Sequence, residues 1–102
     1  MLFDNGSLDA TLANAAGDDP ALLKELRGAF IESAARHLDL LKRARCDANW
    51  EMSAMRLQGL AASFHAAELM ALAKEALSGA PGDPVVVRQI ETFLEEFSAS
   101  YS

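Results

Sequence analysis

The chain has few side chains suited to nucleophilic or metal chemistry: His37, His65 and Cys46, with acid pairs at Asp18-Asp19 and Glu95-Glu96. His37 stands 28 residues from His65 and 9 from Cys46. Neither interval matches a zinc-ligand spacing, so no metal site is expected. Paired acids next to helix boundaries read as caps and solvated ends. No glycine loop for phosphate, no dinucleotide fingerprint and no local signature of a nucleophile with its base is present. The expectation is a protein without a cofactor that is not an enzyme. His37, three residues after Ala34 and four before Leu41, reads as a partly buried neutral imidazole beside an apolar stripe. His65 reads as a boundary histidine at a helix end.

The elements that position these residues follow from composition and punctuation. Alanine and leucine supply 35 of 102 residues, and valine, isoleucine and threonine only 7. A sheet needs β-branched residues on its pleated faces, so this balance predicts an all-α domain. Ser7 is placed as the cap of a short first helix to residue 16, stopped by Gly17. Asp19-Pro20, a cap followed by proline at the first helical position, opens a second helix. Its stripe of Leu23, Leu26, Phe30, Ala34, Leu38 and Leu41 carries it to about residue 45. Cys46 to Asn49 forms the turn, with Asn49 capping a third helix over 50–63. A fourth covers 66–77. Asp83-Pro84 opens the fifth, whose stripe is Val86 or Val87, Ile90, Phe93 or Leu94, and Phe97, with fraying from Ala99. Short connections then predict one domain over residues 1–102, an up-down four-helix bundle preceded by the short N-terminal helix.

The formal charge is −6, from 15 acidic and 9 basic residues. A cationic stripe for phosphates is missing, so nucleic acid is not an expected partner, nor is an anionic membrane. No run approaches the roughly 20 apolar residues of a membrane span. The start MLFDNGSLD lacks the basic segment of a secretory signal, and a lone cysteine suits a reducing compartment. The expected location is the cytoplasm. Lys42, Arg43 and Arg45 read as cations complementing the end of the second helix, and are also suited to an acidic partner.

The third helix departs from what an acidic surface should show. On a wheel centred on Leu57, Trp50, Ser53, Ala54, Leu60, Ala61 and Phe64 fall within about 60° and form the core stripe. The opposite face carries Glu51, Met52, Met55, Gly59, Ala62 and Ser63, flanked by Arg56 and Gln58. Mid-helix glycine is unfavourable by roughly 0.5–1 kcal/mol relative to alanine. Facing outward, Gly59 leaves a flat notch bordered by adaptable methionines, the makings of a docking surface. The alternative is that the domain buries this face itself, with Met52 or Ala62 beneath the first helix.

The run Ala54-Met55-Arg56-Leu57-Gln58-Gly59-Leu60-Ala61-Ala62-Ser63-Phe64-His65-Ala66 resembles the signature of histidine-phosphotransfer (HPt) domains, A-H-x-L-K-G-x-A-x-x-[LF]-G-A. The layout is similar over about residues 8–98: Asp19-Pro20 before a helix with Phe30 and Leu41, a turn ending in Asn49-Trp50-Glu51, and a last helix after Pro84. The resemblance implies that Met55 stands where the family has its phosphoacceptor histidine, Gln58 where it has lysine, and His65 where it has a second glycine. A thioether cannot form the N–P bond. Gly59, which in the family admits the receiver, is kept. The resemblance therefore implies a non-phosphorylatable signalling module. It would bind a receiver domain or histidine kinase through Met52, Met55, Arg56, Gln58, Gly59 and Ala62. The alternatives are a phosphotransfer protein using His65 or His37, and a homodimer paired through the apolar face rather than a monomer.

Overall fold

Helix formation here is set by caps and by apolar spacing, and five α-helices result. They are α1 (Gly6–Ala16), α2 (Pro20–Arg43), α3 (Asp47–Phe64), α4 (Ala67–Ser78) and α5 (Pro84–Ala99). The structure, a computed structural model, describes residues 6–100, and no strand occurs among them. The chain is all-α, as its composition requires.

Both aspartate–proline signatures act as expected. Asp19 accepts hydrogen bonds from the amides of Ala21 at 3.0 Å and Leu22 at 3.2 Å. Asp83 accepts one from Val85 at 2.9 Å. Gly17 takes the left-handed conformation that ends α1, at φ 64°. Other boundaries differ from the sequence expectation. Ser7 lies inside α1, and its carbonyl accepts the Thr11 hydroxyl at 2.8 Å, so it is not the cap. The second helix stops at Arg43, with Ala44 extended, which puts Arg45 beyond the last turn. The third begins at Asp47 instead of Trp50. Cys46 holds its N-cap position without a side-chain bond, and Asn49 is helical. The fourth runs one residue later at each end than expected, and Ala99 belongs to α5. Ser100, also expected to fray, caps α5 with its amide donating to the Glu96 carbonyl at 3.1 Å, and residues 101 and 102 lie outside the described residues.

Helix α2 packs against α3 and α5, α4 packs against the same two, and α1 lies on α2 and α3. Between them sit Phe30, Leu41, Trp50, Ala54, Leu57, Leu69, Ile90 and Phe97, all buried. Phe30 meets Phe64 edge-on at 5.2 Å and Phe97 at 5.6 Å, which joins α2, α3 and α5 through one aromatic cluster. Leu60 and Phe64, expected in the core stripe of the third helix, are only half-buried at its border. The small residues Ala54 and Ala61 on α3 and Ala73 and Ala76 on α4 are buried, consistent with a close approach of these two helices.

Candidate docking face

The core side of α3 fixes what its other side shows. Trp50, Ser53, Ala54, Leu57 and Ala61 are buried, so the residues a half-turn away must face outward. Met52 is 50% exposed and Met55 61% exposed. Arg56, Gly59 and Ala62 are exposed as well, and Gln58 is half-buried. The helix α1 touches α3 without covering this face, so the alternative in which it buries Met52 or Ala62 is not what the structure shows.

A Cβ placed on Gly59 would meet nothing within 4 Å. No packing within the protein demands glycine at that position, and its carbonyl simply accepts the Ser63 hydroxyl at 3.0 Å. Gly28 in α2 is equally open. Its neighbours one turn away are Lys24, Glu25, Ile31 and Glu32, an ordinary mostly charged surface. The corresponding neighbours of Gly59 are Met55, Arg56, Ala62 and Ser63. One charged neighbour, Arg56, against three beside Gly28, together with the exposed thioethers, sets this face apart.

Neither histidine joins it as a nucleophile. His37 is half-buried on α2, with Nδ1 buried and lacking a hydrogen-bond partner. Burial lowers its pKa, and the positive charges of Arg56 and then Arg36 lower it further, so the ring is neutral at pH 7. His65 is exposed at the end of α3 and holds the left-handed conformation, φ 58°. Its amide donates to the Ala62 carbonyl at 3.3 Å, and the Ala66 amide donates to Ala61 at 2.8 Å. These two bonds close the helix in the manner normally reserved for glycine. No group of three or more His, Cys, Asp or Glu side chains among the described residues could hold a metal ion. No helix among them is long and apolar enough to cross a membrane.

Beside the methionine face runs a groove of about 770 Å³ between the end of α2 and the first turns of α3. Leu40 and Met52 provide its apolar lining, and Lys42, Arg43, Arg45 and Arg56 its charge. Sequence reasoning placed Met52 on the outer face and Arg56 on its flank but missed Leu40, which is 39% exposed. One signal was available: Leu40 lies off the three-and-four spacing that buries Leu38 and Leu41.

Comparison of the chain with known protein families, with curated proteins and with solved structures finds no match.

Proposed function

We propose that the chain is a degenerate HPt-like module that works by binding and passes on no phosphoryl group. In this reading α2 to α5 form an up-down four-helix bundle, α1 precedes it, and the whole acts as a cytoplasmic monomer. The face of Met52, Met55, Gly59 and Ala62, flanked by Arg56 and Gln58, docks on the receiver domain of a response regulator or on a histidine kinase. The observation that carries the reading is the exposure of Met55 beside the open backbone of Gly59. A thioether in that position offers dispersion and flexible fit but no nitrogen to phosphorylate. Occupying a receiver without accepting its phosphoryl group would make the protein a competitor or scaffold.

Support for a transfer reaction through another imidazole is weaker. The Nδ1 atom of His37 is buried, and His65 sits ten residues beyond Met55 at the helix end. Titration of candidate receiver domains against the protein and against Met55→Glu tests the proposal. Binding to the native chain that is lost in the variant is the expected result. Equal affinity for both removes this face from the mechanism. Acid-labile phosphate on the chain after incubation with acetyl phosphate, abolished by His65→Ala or His37→Ala, would replace the proposal with the transfer reading. Dimers in sedimentation that dissociate in Met55→Glu would replace it with self-association.

A further inference from the structure

The groove between α2 and α3 has a charge opposite to that of the rest of the chain. Four of the nine Lys and Arg residues line it, and no carboxylate does, in a protein of formal charge −6. Two of the four are already engaged: Lys42 lies 3.3 Å from Glu91 and Arg43 lies 3.2 Å from Asp39. Arg45 and Arg56 have no carboxylate partner among the described residues. Both line the groove together with Leu40 and Met52.

We infer that this groove receives an acidic amphipathic helical segment of a partner protein, its apolar side chains seated on Leu40 and Met52 and its carboxylates paired with Arg45 and Arg56, and with Arg43 in exchange for its exposed intrachain partner Asp39. Charge complementarity decides the occupant. The chain as a whole repels an acidic segment, so the groove is where one can approach, and like charge excludes basic helices from it. Scale agrees as well. From Asn49 to Arg56 the α3 wall rises about 10 Å, two turns of a docked helix. Apolar anchors at i and i+4 on such a segment match a flexible methionine opposite a leucine. The inference extends the binding reading given above to a second element of contact. It shares Met52 and Arg56 with the proposed face but turns on Leu40, Arg43 and Arg45, which that reading does not use.

The test is fluorescence anisotropy of the intact chain with a short helical peptide rich in glutamate and carrying leucines at i, i+4 spacing. One control peptide has serine for leucine and another has lysine for glutamate; inorganic phosphate serves as competitor. The acidic leucine peptide should bind, weaken as salt rises, and lose about tenfold or more in affinity in the exposed double variant Arg43→Glu/Arg45→Glu. Lys74→Glu, an exposed charge reversal on α4, should leave that affinity within about twofold, because Lys74 lies outside both the groove and the proposed docking face. Binding of the lysine peptide with equal affinity, or indifference to the double reversal, overturns the inference. Equal binding of the serine peptide removes the apolar anchors, and displacement by phosphate at constant ionic strength makes the groove a small-anion site; either result also overturns it. If receiver domains fail to bind while the acidic peptide still does, the proposed function falls and the groove assignment stands.

Discussion

The indole Nε1–H of Trp50 donates to the carbonyl oxygen of Ala76 at 2.8 Å, in the buried core. Ala76 belongs to the last turn of α4, where carbonyls run out of intrahelical partners. One bond thus satisfies a helix end and locks the start of α3 against the end of α4. Met52 and Met55 follow Trp50 by two and five residues, so this contact also sets the rotation of α3 that turns both methionines outward.

Trp50→Phe keeps an aromatic ring and removes the donor. The Ala76 carbonyl is then left buried and unpaired, which costs about 1–3 kcal/mol. Urea denaturation followed by far-UV circular dichroism should show that loss. A midpoint unchanged from the native chain would mean that water or a neighbouring amide takes over the carbonyl.

His65→Gly should raise stability. A side chain in the left-handed region crowds its own backbone, which is unfavourable by about 1–2 kcal/mol, and glycine escapes this at some entropic cost. The net gain expected is about 1 kcal/mol, read as a higher thermal midpoint. A loss of stability would show that the imidazole makes a contact outweighing the backbone strain.

Much of this architecture was legible in the sequence because its signals are local. Asp19-Pro20 and Asp83-Pro84 announce helix starts through the geometry of a carboxylate beside proline, and no distant contact overrides them. The core stripe of α3 was readable from spacing, apart from Leu60 and Phe64 at its border. The start of α3 was misplaced for an equally physical reason. Asn49 is a better N-cap than Cys46, but Asp47 in the first turn complements the helix dipole and the helix extends back to include it. The groove was out of reach, since it exists only once Leu40 and Arg43 of α2 stand opposite Met52 and Arg56 of α3. The left-handed stop at His65 could be anticipated only from the resemblance, which has a glycine there; the spacing of apolar residues carries no sign of it.

His37 makes the chain sensitive to mild acid. Its folded pKa lies below the ordinary value of 6.5 because of burial and then the charges of Arg56 and Arg36. Above that value the ring is neutral in both states and makes no difference. As pH falls through it, the unfolded chain takes the proton first, so stability declines. Unfolding midpoints measured from pH 7.5 down to 5 should drop less steeply in His37→Gln. Parallel profiles would refute this assignment.

Glu68 should act with the opposite sign. Burial, and then the charge of Glu96, raise its folded pKa above the ordinary 4.5. Its ionised form therefore opposes folding above the folded pKa, and the penalty disappears once pH falls below 4.5. Glu68→Gln is expected to be more stable than the native chain at pH 7, with the difference closing near pH 4. A constant difference across that range would assign the effect to packing instead of charge.

Gly59→Ala separates a structural glycine from a docking one. The added Cβ meets nothing within 4 Å, and alanine is the better helix former, so the folded chain should gain about 0.5–1 kcal/mol. On the proposed reading the same methyl group stands in the notch that a partner backbone enters, so affinity for a receiver should fall while stability rises. No packing defect produces that pair of opposite changes, since a damaged helix would lose both. Calorimetric unfolding of the variant beside a binding titration gives both quantities from one preparation. Raised stability with undiminished affinity would mean that nothing closes on Gly59, and the docking face would then have to lie elsewhere on the helix.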